Sequence, residues 1–178
     1  MQLLINRTGN KLDITKISQE LGVTRVTVSD YLEFLEGTYF ISKIKPYSKS
    51  ADVSLRGREK VYICDTGILM LLGGVSSGAI FENAIFNQIK TQGQVRYFQS
   101  KSDQEIDFVF KKRNFLKGMD ELIALEVKTQ AVRKDITRLN KLSNNLKIRK
   151  YFVVSQEYAD LNKVIYPVNL FLSLLEGH

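Results

Sequence analysis

At 178 residues, 44% hydrophobic and 25% charged, the chain has room for one ordinary domain or two small ones. A single cysteine, Cys64, and a single histidine, the terminal His178, exclude a disulfide scaffold, Ser–His and Cys–His nucleophile pairs and a zinc cluster. The formal charge of +7 favours phosphate-rich partners, and it is uneven: residues 1–78 carry ten Lys and Arg against eight acids, residues 79–178 sixteen against eleven.

No apolar stretch approaches the ~20 residues that a membrane-spanning helix needs. The run after Met1, Leu3-Leu4-Ile5, is too short for a signal peptide. With one thiol and no leader, the expected setting is a reducing cytoplasm.

The first half opens with Ile14, Ile17 and Leu21 at helical spacing, closed by Gly22. Thr24 fits the N-cap of a second helix whose apolar positions are Val28, Leu32 and Leu35 and whose expected end is Gly37. Helix, short Gly-containing turn, helix is helix-turn-helix spacing. Two strand-like runs, 40–44 and 60–64, enclose a basic stretch with Lys49, Arg56 and Arg58, an order that suggests a winged helix. In a DNA-reading version the second helix presents Thr24, Arg25, Thr27 and Ser29 to the major groove. The same helix carries Asp30, Glu33 and Glu36, which repel phosphate, so a protein-docking role stands beside the DNA-reading one.

The composition changes at Leu71-Leu72-Gly73-Gly74-Val75-Ser76-Ser77-Gly78, an uncharged Gly- and Ser-rich stretch read as a linker. The expected domains are therefore 1–74 and 79–178. The second half reads as helix, three strands, helix, strand: a helix over 79–92, strands over 95–99, 105–111 and 122–128, a helix through Ile136, Leu139, Leu142 and Leu146, and a strand over 151–155. Leu170, Leu172, Leu174 and Leu175, after Pro167, suggest a closing helix.

Chemistry concentrates on two of these strands. Glu105-Ile106-Asp107-Phe108 is followed, nineteen positions after Asp107, by Glu126-Val127-Lys128. Because side chains alternate along a strand, Glu126 and Lys128 share a face, as do Glu105 and Asp107. If the strands are neighbours, two carboxylates and an ammonium converge. That set suits Mg²⁺ or Mn²⁺, hard cations held by one or two carboxylates that keep several waters. Asp107 and Glu126 are the expected metal ligands, with Lys128 orienting a water or offsetting phosphoryl charge. Glu82, in Phe81-Glu82-Asn83, is a further candidate ligand, and Gln130 would lie where a substrate phosphate sits. Glu-x-Lys alone is a weak signal, since exposed strands often carry opposite charges worth roughly 0.2–1 kcal/mol. Lys101, Lys111, Lys112, Arg113, Arg133, Lys134 and Arg138 are candidates for contacts to a nucleic-acid backbone.

The order of elements and the Asp107, Glu126, Lys128 set resemble the PD-(D/E)xK nuclease superfamily, with Glu82 similar to the helical acid of its resolvase-like branch. More closely, Leu21-Gly22-Val23, Tyr31-Leu32-Glu33-Phe34-Leu35-Glu36, Tyr62-Ile63-Cys64-Asp65-Thr66-Gly67, Phe81-Glu82-Asn83, the Asp107 stretch and Ile123-Ala124-Leu125-Glu126-Val127-Lys128 resemble the C-terminal region of prokaryotic AAA+-type ATPases. The resemblance implies an α+β fold, a winged helix followed by a restriction-endonuclease-like α-β-β-β-α-β domain. It implies a metal-dependent deoxyribonuclease or a non-catalytic module that binds DNA or docks an ATPase, and it makes a homodimer plausible. One departure is large. The phosphate-binding loop of such ATPases is missing: Gly73 and Gly78 have the glycine spacing, but Ala79 stands where Lys is required. The chain is thus expected to be a truncated product, a natural fragment or a C-terminal piece.

Overall fold

In the computed structural model, residues 2–48, 57–112 and 121–170 are described. Arg113, Lys49 and Arg56 lie outside them; the expected closing helix begins at residues 167–170, where Leu170 is buried, and its part beyond Leu170 lies outside the described residues. The chain divides into two units, Met1–Asn83 and Ala84–His178. Among the described residues no helix is long and apolar enough to cross a membrane.

The first unit starts with a short helix, α1 (Gln2–Ile5), whose Leu4 and Ile5 are buried. Helix α2 (Ile14–Leu21) begins where the Asp13 carboxylate accepts the Lys16 N–H and ends at Gly22, whose φ of 65° is a left-handed cap. Helix α3 (Arg25–Gly37) begins where Thr24 accepts the Thr27 N–H. It ends at Gly37, as expected, and the left-handed residue that follows is Tyr39, at φ 58°. Strands β1 (Ile41–Ile44) and β2 (Lys60–Ile63) pair antiparallel, Ile41 opposite Ile63 and Ile44 opposite Lys60. Helix α4 (Thr66–Leu72), capped by Asp65, turns Leu71 and Leu72 outward before Gly73. Ile5, Leu12, Ile17, Val28, Leu32, Ile41, Val61, Ile63 and Leu69 form the core of this unit. Leu21, expected on the inner stripe of α2, is exposed.

Helix α5 (Ser77–Ile89) contains the division between the units. Its Asn83 is fully buried and bonded into the first unit. The carboxamide oxygen accepts from the Ile63 N–H and the Thr8 hydroxyl, both at 2.8 Å, while its nitrogen donates to the Ile63 carbonyl at 2.8 Å. One amide side chain thus satisfies both backbone groups of Ile63 as a neighbouring strand would.

The second unit is built on a five-stranded sheet in chain order: β3 (Gly93–Gln99), β4 (Glu105–Lys112), β5 (Glu121–Lys128), β6 (Lys150–Ser155) and β7 (Val164–Ile165). The first two pairings are antiparallel and the last two parallel. The parallel step from β5 to β6 requires a crossover, supplied by α6 (Arg133–Leu146). α6 ends at Lys147, a left-handed cap with φ 60°. Phe86 of α5 stacks on Phe108, ring centroids 6.1 Å apart, so α5 lies on the face that carries Phe108. α6 lies on the other face, where Arg138 meets Glu126. The architecture is mixed α/β of the α+β type, with a two-stranded and a five-stranded sheet.

Candidate functional site

Strand β5 is the middle strand, and both of its faces are covered. Ile123 through Val127 are all buried. The alternation of 105–111 suggests a strand with one open face, but Val109, on the acid face, is only 1% exposed. Glu126 is accordingly 2% exposed rather than lying at an open edge.

Asp107 sits at an irregularity. Strand β3 pairs with β4 as Arg96↔Val109 and then as Phe98↔Ile106, so Tyr97 faces two residues of β4, Asp107 and Phe108. This is a β-bulge, a device that re-aims side chains and recurs beside functional sites. On the other side the pairing of β4 with β5 ends at Phe108↔Leu125. Just beyond, Asp107 Oδ2 accepts the Val127 N–H at 2.8 Å. The carboxylate is therefore fixed to the backbone between Glu126 and Lys128.

Two cations meet Glu126 at one oxygen, Oε1. Lys128 Nζ lies 2.8 Å away, and the Arg138 guanidinium, from the second turn of α6, donates to the same atom. Burial pushes the Glu126 carboxyl up, and the nearby negative charge of Asp107 adds to this. Lys128 and Arg138 pull it down without cancelling the rise, and the group is pushed up to about 7. Burial alone would lower Lys128. The charge and hydrogen bond of Glu126 outweigh it and hold Lys128 above the usual lysine value, so it stays protonated at neutral pH.

The segment after β5 is fastened to β6. The Gln156 and Glu157 N–H groups donate to the carbonyls of Lys128 and Thr129 at 3.1 and 2.8 Å, and the Ala131 N–H donates to Ser155 Oγ at 3.1 Å. Gln130 stands exposed in this pinned bend.

Among the described residues, no group of three or more His, Cys, Asp or Glu gathers in a metal-ligating arrangement. The donor set is the pair Asp107 and Glu126. That pair fits a hard divalent cation of the Mg²⁺ kind, which takes one or two carboxylates and fills the rest of its shell with water and substrate oxygens. It does not fit zinc, which needs three or four protein ligands.

Glu82 belongs to the first unit. Its Oε1 accepts the Tyr62 hydroxyl at 2.7 Å and lies 3.8 Å from the Nζ of the buried Lys60. These partners make it one member of an internal ion pair. The basic candidates separate by position. Lys101 is exposed in the turn joining β3 to β4, and Arg133 and Lys134 are exposed in the first turn of α6. Because β4 and β5 run antiparallel, the turn before β4 and the segment after β5 share the end of the sheet that carries the acids. Lys111 and Lys112 lie at the opposite end, Lys112 between Gly93 and Glu121. Five residues of strand, about 17 Å at ~3.4 Å per residue, separate Lys112 from Asp107.

On α3, the Thr24 and Thr27 hydroxyls are 2.8 Å apart and hydrogen-bond each other, while Arg25 is exposed and Ser29 half-buried. Three large apolar side chains of this helix are exposed, Val26 at 69%, Tyr31 at 66% and Phe34 at 64%, beside the exposed charges of Arg25, Asp30 and Glu33.

Sequence reasoning placed Arg138 among backbone contacts and missed its pairing with Glu126, twelve positions away. No local pattern signals it, because the contact exists only once the crossover helix lies over β5. It also passed over Asn83, although the motif Phe81-Glu82-Asn83 held a polar residue at a helix position that proves fully buried.

No solved structure matches the chain. Over 181 aligned residues it is 25% identical to an uncharacterized protein of Haemophilus influenzae, covering 95% of this chain and 44% of that relative. The chain thus spans less than half the length of the curated relative it matches. Residues 1–78 match the family described as Domain of unknown function (DUF8612). Residues 77–171, more than half of the chain and all of the Asp107–Glu126–Lys128–Arg138 cluster, match a second such family, and the chain belongs to it: Domain of unknown function (DUF4143).

Proposed function

We propose that the second unit is a PD-(D/E)xK-type nuclease module that hydrolyses phosphodiester bonds of DNA with a divalent cation, Mg²⁺ or Mn²⁺. The observation that carries this reading is the meeting of Asp107, Glu126 and Lys128 at one end of a buried central strand. The order helix, three antiparallel strands, crossover helix and parallel strand supports it.

Asp107 and Glu126 would hold the cation, which when bound polarises the phosphoryl group and makes its water more acidic. The Val127 N–H fixes Asp107, so the acid pair is preorganised rather than assembled on binding. Lys128, protonated at neutral pH, acts as a cation: it orients the attacking water or meets the charge that develops on phosphorus. Gln130, exposed in the pinned bend, is placed to donate to a phosphate oxygen. Lys101, Arg133 and Lys134 supply backbone contacts at this end of the sheet.

Cleavage of labelled linear, flapped, four-way and single-stranded DNA in Mg²⁺ and Mn²⁺ tests the reading, with folded Glu126→Ala and Lys128→Ala proteins alongside. Metal-dependent cleavage that drops at least 100-fold in both variants is the expected result. An absence of cleavage and of metal binding in the wild type would remove the catalytic reading.

A second reading concerns the first unit, whose helices α2 and α3 and paired strands β1 and β2 support a winged helix. The exposed Val26, Tyr31 and Phe34 of α3, the exposed acids Asp30 and Glu33 among them, and the mutual hydrogen bond of Thr24 and Thr27 favour docking of protein over reading of DNA. In that reading Thr24, Arg25 and Thr27 do not contact bases, and the chain is a module that docks or regulates an ATPase.

A further inference from the structure

Glu126 uses one oxygen for two cations, and the second carboxylate oxygen enters neither contact. With both acids ionised, Asp107 and Glu126 are already balanced by Lys128 and Arg138. A divalent cation arriving at the same carboxylates brings two further positive charges to the buried Glu126, where like charges repel strongly. One resident cation has to give way. Lys128 has little freedom to leave, because it stands two residues from Glu126 on the same face of the same strand. Arg138, no more exposed than Lys128, reaches in from a different element on a longer side chain. Its helix begins with Arg133 and Lys134, on the side where the backbone of a bound nucleic acid would pass.

We propose that Arg138 is a displaceable counter-ion of the metal site. It holds Glu126 Oε1 while the site lacks a divalent cation, and it moves to a phosphate oxygen of the bound nucleic acid when the cation takes its place. The guanidinium suits both positions, since carboxylate and phosphate present the same pair of acceptor oxygens to its planar fork. Arg138 is thereby a positioning residue that keeps the buried acid pair neutralised at rest and couples metal loading to substrate binding. This inference rests on the metal-dependent reading above.

The test is Mn²⁺ binding to the full chain without DNA, measured by calorimetry for wild type, Arg138→Met, Arg138→Lys and Glu126→Gln, each checked by thermal melting. Removing the competitor should make Arg138→Met bind Mn²⁺ about tenfold more tightly than wild type, with Arg138→Lys between them and Glu126→Gln without binding. Binding of a short duplex in Ca²⁺ should weaken severalfold in Arg138→Met. Unchanged or weaker Mn²⁺ affinity in Arg138→Met overturns the counter-ion role while leaving the metal site in place. If Arg138→Met does not fold, Arg138→Lys decides, and an affinity no tighter than wild type overturns the role. Tighter Mn²⁺ binding with unchanged duplex affinity overturns the transfer to phosphate. Binding in neither wild type nor Arg138→Met, or undiminished binding in Glu126→Gln, removes the metal site itself and the inference with it.

Discussion

Glu126 shows how much a single buried side chain can dictate. Its proton is favoured in the folded chain, where burial and Asp107 raise the group from 4.5 to about 7. The folded state therefore binds the extra proton between those values. The stability linked to it is fully present below pH 4.5 and is lost as pH rises through 7, on the order of 3 kcal/mol in all. Urea denaturation between pH 4.5 and 8 should show this fall in the wild type. Glu126→Gln, whose amide does not titrate, should lack it and should be relatively more stable at pH 8. Parallel pH profiles for the two proteins would refute the assignment. Asp107 and Glu126 were both legible as a pair in the sequence, because strand alternation puts acids and lysine on shared faces. The depth of Glu126 was not. Alternation suggests an open face, and only the crossover helix, whose position no local pattern gives, closes it.

The elements themselves were largely legible, and the misses have physical causes. The strand expected over 95–99 begins at Gly93, because glycine is a poor strand former and reads as a break. Here it has a positive reason to be glycine. A β-carbon at Gly93 would lie 2.3 Å from the Lys111 carbonyl oxygen and 3.0 Å from the Phe110 ring. Gly93→Ala must therefore push the β3 edge away from β4, at a cost of about 2–3 kcal/mol measurable by denaturant unfolding. A cost under about 0.5 kcal/mol would mean that the edge yields freely. Helix α3 ends at Gly37, its expected stop. The left-handed residue that follows is not that glycine but Tyr39, an exposed aromatic in a conformation that bulky residues rarely adopt. The short elements α1, α4 and β7, of four, seven and two residues, fall below the length at which periodicity can be counted.

At the scale of the molecule, the basic charge among the described residues of the second unit is not one patch. In the second unit, Lys101, Arg133 and Lys134 gather at the end of the sheet that carries the acids, while Lys111 and Lys112 occupy the other end. Sequence gave these residues as a single set, since charge is visible in it and strand direction is not. Salt dependence of duplex binding separates the two groups. Each lost phosphate contact lowers the slope of log K against log salt by about 0.9. The slope should thus shrink on Lys101→Ala, Arg133→Ala and Lys134→Ala and stay the same on Lys111→Ala with Lys112→Ala. Equal effects from both sets would place the nucleic acid along the sheet rather than at its acidic end.

The bulge opposite Tyr97 gives β4 two rulers. Measured against β5 it is a regular strand as far as Phe108; measured against β3 it slips by one residue between Val109 and Ile106. Two stretches of one hairpin that keep different count are like two zips joined at a single tooth. The short stretch beyond the join, Phe98↔Ile106 and Gln99↔Glu105 with the turn that bears Lys101, is set in its own register, one residue off that of the longer run from Gly93 to Arg96. Asp107 stands at the joining tooth, and its carboxylate takes its place from β5 rather than from the pairing with β3.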